Sequence, residues 1–372
     1  MQTDKRKVLI IATTKFELDG ITNVILNYYR AMDKSDMQFD FAVPNILKIE
    51  LRKEIENQGS NIFIIQGRNK NPLSYMRKLT NLIKRNNYDI VHAHGNSSTL
   101  AMEMVAAKRG GSKVRIPHSH NTTTNHRVVH KLLRRTFDKN YTNGFACGVK
   151  AGEWLYKGKP FTVINNGIDV NRFKFNEEDR KNYRKKYGLV GCKVIGNVGA
   201  FNYQKNHEFL TDVFFELYKL DKSYRLLLIG DGGLRTEIEK KVDSLGLNNA
   251  VIFAGKSREV PQLLQVMDAI VMPSRYEGLP LSLIEAQSAS LPCFVSDVIT
   301  QEIGVTDLIK FIPLEKKADT WAKIINDTEI MNSRLTNDKS LYEITEAGYN
   351  IKENAQDLQN LYNLFLTNQL KE

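Results

Sequence analysis

The chain has 372 residues, of which 42% are hydrophobic, 26% charged and 9% aromatic. That is the composition of a globular protein and excludes a disordered or collagen-like chain; at about 150 residues per domain it holds about two domains. Its 53 Lys and Arg outnumber 42 Asp and Glu, giving a formal charge of +11 that favours anionic partners.

Strand-like and helical runs alternate along the first half. Lys7–Thr13 reads as a buried strand; its apolar stretch ends at Lys15, too short for a signal-peptide core. No run of about 18 apolar residues is present, so no spanning helix is expected. Gly20–Met32 has helical spacing, Phe39–Val43 and Ile62–Ile65 read as strands, and Leu73–Arg85 as a helix. Tyr88–Ala93 is a strand running into His92-Ala-His94-Gly95. Leu100–Lys108 is helical and Lys113–Pro117 a short strand. The pattern restarts with strands at Lys193–Val198, Arg225–Ile229, Val251–Ala254, Ala269–Met272 and Cys293–Ser296. Helices at Asn206–Leu220, Leu234–Leu245, Val260–Gln265 and Leu281–Ala289 separate them. Ala355–Leu366 is an amphipathic helix. Two α/β halves with parallel sheets follow, with ligands expected beyond the carboxyl ends of the strands.

The excess charge is uneven. Nine Lys or Arg residues between Val105 and Lys139 face one acid, Asp138. A second cluster is Arg180, Lys181, Arg184, Lys185 and Lys186. Both read either as solvated basic faces or as surfaces for an anionic acceptor or membrane. Cys147, Cys192 and Cys293 show no metal or redox spacing and read as reduced thiols of a cytosolic protein.

Four segments can carry chemistry. In the stretch from Pro273 to Ala286, a strand enters a loop and then a helix. Pro280 suits the first helical turn, and the amides of Gly278, Leu279, Leu281 and Ser282 would face an anion at the positive end of the helix dipole. Glu277 and Glu285 stand two turns apart, where carboxylates can accept hydrogen bonds from sugar hydroxyls, or they are ordinary first-turn and surface acids. The second segment, Gly196 to His207, places Lys205 near a helix start, where a phosphate would dock. In the third, Gly230-Asp231-Gly232-Gly233 follows a strand as a nucleotide-binding turn would, without the dinucleotide fingerprint. The fourth is a histidine group: His92, His94, His118, His120, His126 and His130. The pairs His92/His94 and His118/His120 each share a strand face. With no Cys, Asp or Glu at ligand spacing, a general base or a hydrogen-bond donor fits them better than a metal. Gly20, opening the first helix, would allow an anion close to the backbone.

Together these segments resemble the retaining, nucleotide-sugar-dependent glycosyltransferases of family 4, most closely over Lys193–Ser296. Glu277-Gly-Leu-Pro to Glu285-Ala is similar to that family's pair of glutamates separated by seven residues. Val163-Ile-Asn-Asn-Gly-Ile-Asp169 resembles its interdomain segment, and Asp89–Gly95 and Pro117–Asn121 its acceptor-side strand ends. Within the family, bacterial exopolysaccharide and capsule enzymes look most similar.

The resemblance implies the GT-B fold, two Rossmann-like α/β domains facing across a cleft. These are an acceptor domain at 1–170, a nucleotide-sugar domain at 171–350, and a C-terminal helix at 351–372 packing back on the first. It implies sugar transfer from a nucleotide-sugar, a UDP-sugar on family grounds, to a glycan or lipid-linked acceptor in surface polysaccharide synthesis. A GT-B epimerase or an inactive sugar-nucleotide-binding relative is the alternative. Glu277 would contact the donor sugar, and Glu285 the ribose. Lys205 would bind the diphosphate with the Gly278, Leu279, Pro280 and Leu281 segment. Gly230 and Asp231 would lie beside the nucleotide, Lys256 to Arg258 would meet the base, and Gly20 would approach the diphosphate. His118 or His120 would stand by the reacting hydroxyl. No metal or other cofactor and no nucleic acid is expected. The protein would be cytoplasmic or peripheral on the inner membrane face, held there through the basic region 105–139. Ala200 stands where many relatives carry Arg, and Asp19-Gly20 where relatives often carry two glycines. Arg275 or Arg258 could supply the missing cation.

Overall fold

A computed structural model describes residues 5–17, 20–124, 126–328, 334 and 337–369; Asp19, beside Gly20, lies outside the described residues. The chain divides into two units. One contains the described residues up to Gly167 together with those from Ile351 onward, and the other is Ile168–Asn350.

The first unit is built on seven strands: β1 (Arg6–Ala12), β2 (Met37–Val43), β3 (Ile62–Ile64), β4 (Ile90–Gly95), β5 (Val114–Ser119), β6 (Phe145–Ala146) and β7 (Thr162–Val163). They form one parallel sheet in the order β3-β2-β1-β4-β5-β6-β7. β1 reads as an unbroken apolar run because helices cover both faces of the sheet, and Val8, Leu9, Ile10 and Ile11 are all buried. Strand order reverses between β1 and β4, so the carboxyl end of β4 lies at the switch point, where open α/β sheets bind ligands. The helix Ile351–Gln369 belongs to this unit. It buries Ala355, Leu358, Tyr362 and Leu366, spaced three and four residues apart, and packs along the helix Gly20–Ala31.

The second unit repeats the plan with β8 (Lys193–Val198), β9 (Tyr224–Ile229), β10 (Val251–Gly255), β11 (Ala269–Met272), β12 (Cys293–Ser296) and β13 (Ile309–Ile312). All are parallel, in the order β10-β9-β8-β11-β12-β13, with the reversal between β8 and β11. The loops after these two strands hold the two richest motifs of the sequence.

The second basic cluster is not a free surface. Arg180 and Arg184 project from the helix Glu177–Lys186 onto Asp268, whose side chain is fully buried. Arg184 reaches Asp268 Oδ2 at 2.6 Å, and Arg180 bonds the other oxygen. The Val194 amide adds a third donor at 2.7 Å. A buried carboxylate is tolerated only with such partners. Lys181, Lys185 and Lys186 keep their heads outside. In the first cluster, Arg115 and Arg134 are likewise committed. Arg115 donates to the Asn140 carbonyl at 2.7 Å. Arg134 bonds Asp138 at 2.9 Å and the carbonyls of Leu155 and Tyr156.

Removing the partner of two buried guanidinium groups should be severe. Asp268→Ala is expected to lower the stability of the second unit by about 3–5 kcal/mol, measured by denaturant unfolding. A loss below about 1 kcal/mol would mean that the arginines find water instead.

Candidate active site

The second unit gathers its candidate side chains in the loops after β8 and β11. Asn206, in the left-handed region at φ 56°, ends the first loop and donates through Nδ2 to the Pro273 carbonyl at 3.0 Å. The Arg275 amide returns a bond to the Gln204 carbonyl at 2.8 Å. The two loops are thereby held together, and Lys205 Nζ meets Glu277 Oε1 at 2.8 Å. The two side chains are only 14% and 7% exposed. Gln204 Nε2 donates to the other carboxylate oxygen at 2.9 Å. Beyond Glu277 begins the helix Leu281–Ser288, with Pro280 as its extended N-cap rather than within its first turn. Leu281 and Ser282 supply first-turn amides that no helical carbonyl can take up. The helix dipole and the Lys205 ammonium thus place positive charge around one carboxylate.

Glu285 lies in the second turn of that helix, half-buried, and its carboxylate makes no hydrogen bond among the described residues. Desolvation pushes its pKa up to about 7, partly opposed by Arg172. Arg172 sits on the short helix Val170–Phe173 and also reaches the Arg258 carbonyl at 3.4 Å. This ties the 256–258 loop to the Glu285 region through backbone, while the Lys256 and Arg258 side chains are exposed. Arg275, a candidate replacement for the cation missing at Ala200, is spent on the neighbouring loop after β8. It stacks on Tyr203 at 4.1 Å and donates to the Tyr203 carbonyl at 2.6 Å.

The glycine turn after β9, expected beside the nucleotide, is set by close backbone packing. Gly230, at φ 142°, donates to the Gly255 carbonyl at 2.9 Å, and a Cβ there would collide with the Gly199 carbonyl oxygen. Gly199 and Phe201 donate in turn to Ile229 and Asp231. Asp231 accepts from the Gly232 amide at 2.9 Å and faces Arg235. Gly230 therefore sets how closely the β8 and β9 turns approach, which positions the loop carrying Lys205.

In the first unit the parallel register sets His94 opposite His118, and four imidazoles collect at the ends of β4 and β5. His92 stacks on His94 and His118 on His120, each with centroids 4.2 Å apart. His92 Nε2 lies 3.1 Å from His118 Nδ1, and His94 Nδ1 lies 2.8 Å from His120 Nε2. Burial holds all four pKa values far below the usual range, to about 3 for His92 and His120, so the rings are neutral near pH 7. Although sequence spacing suggests no ligand set, the fold brings nitrogens of His92, His94 and His118 within 4.8 Å of one another, which is close enough to hold a metal ion. Two of those nitrogens already face each other in the His92–His118 bond. His130 is elsewhere, tilted against the Trp154 ring with centroids 4.8 Å apart, and His126 precedes the helix Arg127–Asn140. Gly20 begins its helix with open space where a Cβ would stand.

Comparison with known proteins settles the family. The model for Glycosyltransferase Family 4 matches residues 18–172, and that for Glycosyl transferases group 1 matches residues 179–339. EpsF of Bacillus subtilis (strain 168), whose name describes it as a glycosyltransferase, is 31% identical over 379 residues, covering 98% of each chain. The chain is a family 4 glycosyltransferase. An α-1,3-galactosyltransferase of Escherichia coli, named for transfer from UDP-Gal to α-D-GlcNAc-diphosphoundecaprenol, is 27% identical over 76% of this chain and 77% of its own. Among solved structures, a glycosyltransferase from Rickettsia africae superposes with a TM-score of 0.80 at 15% identity, over 98% of this chain and all of that one. Anabaena HepE, crystallised with UDP-glucose, gives 0.76 at 16% identity, over 96% and 99%. These likenesses establish the GT-B fold.

In this glycosyltransferase the sequence motifs point to Lys205, Glu277 and Glu285 but not to Gln204, Asn206 or Arg172. Arg172 lies three residues after Asp169 in the segment resembling the family's interdomain stretch, and only the fold turns it toward Glu285.

Glu285 also sets a pH signature. Its pKa is raised in the folded state, so the folded chain binds more protons than the unfolded one between the ordinary carboxyl range and pH 7. Stability contributed by this group is therefore greatest at acid pH and falls as pH rises toward 7 and beyond. Glu285→Gln should remove that slope and stabilise the second unit at pH 8 by on the order of 1–3 kcal/mol. Thermal unfolding of both forms at pH 5 and pH 8 checks this, and a parallel fall in both would disprove it.

Proposed function

We propose that the chain moves a hexosyl group from a UDP-sugar to a glycan or lipid-diphosphate-linked acceptor in bacterial surface polysaccharide synthesis. The transfer retains anomeric configuration and needs no metal. The observation that carries this reading is the Lys205–Glu277 pair, set beside the open amides of the helix Leu281–Ser288. In the reaction the bond between the anomeric carbon and the diphosphate oxygen breaks, and its electron pair leaves with the nucleoside diphosphate. The acceptor oxygen bonds the same carbon from the same face, and its proton passes to the departing phosphate. Charge grows on the diphosphate as it leaves, and fixed donors aimed there lower the barrier without reorganising. Lys205 and the first-turn amides are those donors. Glu277 contacts the sugar, Glu285 takes the ribose hydroxyls, and the 256–258 backbone meets the base. The activity for which the Escherichia coli relative is named and the UDP-glucose complex of HepE support a UDP-sugar donor.

The helix Arg127–Asn140 favours a lipid-linked acceptor. Val128 and Leu132 are 71% and 75% exposed, beside exposed Arg127, Lys131 and Arg135. Apolar residues flanked by basic ones suit an anionic membrane face. Such contact would make the protein peripheral on the inner surface. No described helix is long and apolar enough to cross a membrane.

Calorimetric titration with UDP, GDP and ADP should show selective UDP binding. Lys205→Ala and Glu285→Ala should each weaken it about 10-fold to 100-fold. Binding to none of the three by the wild type would overturn the donor assignment. Co-sedimentation should show binding to vesicles containing phosphatidylglycerol at low salt and little to neutral vesicles, with Leu132→Glu plus Arg135→Glu abolishing it. Equal recovery with neutral vesicles would rule out the basic helix as the contact.

A further inference from the structure

The second unit carries an open cavity of about 280 Å³ that neither Lys205 nor Glu277 lines. The helix His207–Leu220 supplies Glu208, Phe209 and Asp212 to it. The loop after β8 supplies Asn206, the loop after β11 Arg275, and the segment after β13 Leu314. Each wall is held from behind. Phe209 packs edge-on against buried Trp321, with ring centroids 5.8 Å apart. The Leu314 amide donates to Asp297 Oδ1 at 3.1 Å. Asn206 is tied to the Pro273 carbonyl and Arg275 to Tyr203. The polar heads, however, are not used up. Lys241 takes the Glu208 carbonyl and one oxygen of Asp212, at 2.7 Å, while the Glu208 carboxylate makes no hydrogen bond among the described residues. Arg275 bonds through Nη1 alone, which leaves its Nε and Nη2 donors without an acceptor among the described residues. Asn206 is 5% exposed, and its Oδ1 is buried with no partner.

Such a lining selects its occupant. A carboxylate only accepts and a guanidinium only donates, so the ligand must both donate and accept within one small volume. Two carboxylates repel an anion, and the guanidinium repels a cation. A pyranose meets every demand: each hydroxyl donates and accepts, and the apolar ring face suits Phe209 and Leu314. Tyr203, beneath the Arg275 guanidinium, adds an exposed aromatic ring beside it. The volume falls just short of the roughly 300–1,000 Å³ of sites for drug-sized ligands, which fits a single sugar ring. We propose that this cavity is a second carbohydrate site, holding one pyranose residue of the glycan other than the one being joined. The class of ligand rests on the sugar-transfer reading above, but the site does not depend on the donor assignment.

Saturation-transfer NMR of the full chain, with UDP in excess to occupy the donor site, tests this. The probes are the methyl α-glycosides of glucose, galactose, mannose and N-acetylglucosamine. At least one should bind with a Kd on the order of millimolar. Glu208→Gln should weaken that binding about 10-fold, and Leu314→Trp, which fills the cavity, should abolish it. UDP affinity should be the same in both variants as in the wild type. If Leu314→Trp does not fold, Glu208→Gln combined with Asp212→Asn still decides. Binding of none of the glycosides, binding indifferent to Glu208→Gln, or binding weakened by Lys205→Ala in place of Glu208→Gln would each overturn the proposal. So would displacement of the glycoside by inorganic phosphate or by putrescine. If the wild type binds no UDP while a glycoside binds and responds to Glu208→Gln, the donor reading fails and the second site stands.

Discussion

A carboxylate and an ammonium held nearly out of water, Glu277 against Lys205, govern the arrangement of the second unit's loops. Neither charge is stable there alone, because desolvation costs more than an imperfect partner returns. Gln204 completes the carboxylate, the Asn202 side chain accepts from the Lys205 amide at 3.0 Å, and Asn206 accepts a left-handed backbone to turn the chain into its helix. The glycine at 230 lets the neighbouring turn come close enough to brace the same loop. In the proposed reaction an arriving diphosphate would meet a cation already fixed in place rather than a flexible lysine, and such preorganisation is what electrostatic catalysis needs.

Much of this was legible from the residues. The β8, β11 and β12 bounds match the expected strands residue for residue, because short apolar runs bounded by turn residues admit little else. Glu277, Glu285 and Lys205 stood out by their spacing after strands. The helix Glu177–Lys186 did not stand out, since nearly every residue in it is polar and no apolar stripe marks its period. β6 and β7 are two residues long, too short to leave a pattern. The Tyr362–His92 bond spans 270 positions, and no local rule reaches that far.

Charge was the least readable property. The net +11 suggested broad basic surfaces, yet part of it is internal. Arg180 and Arg184 neutralise Asp268, Arg68 holds buried Glu103 at 2.8 Å, and Arg134 ties a helix to two carbonyls. Arginine's planar fork suits such buried work, whereas the lysines beside it remain solvated. Counting cations in a window therefore overstates the surface they offer. What is left on Arg127–Asn140 is smaller and sharper: four exposed cations, Arg127, Lys131, Arg135 and Lys139, with exposed Val128 and Leu132 among them.

The first unit is discontinuous in sequence, and that has a consequence for biosynthesis. Domains fold as they emerge from the ribosome, roughly in order of synthesis. Here Ile168–Asn350 is complete and free to fold before Ile351–Gln369 has been made. Until that helix arrives, the long groove beside Gly20–Ala31 lacks its cover and His92 lacks the hydroxyl beside it. The first unit must wait, with this side of the helix Gly20–Ala31 uncovered, through the translation of the entire second unit. That interval is when the nascent chain is most exposed to aggregation, and it ends only when its final contact is delivered from the far side of the sequence.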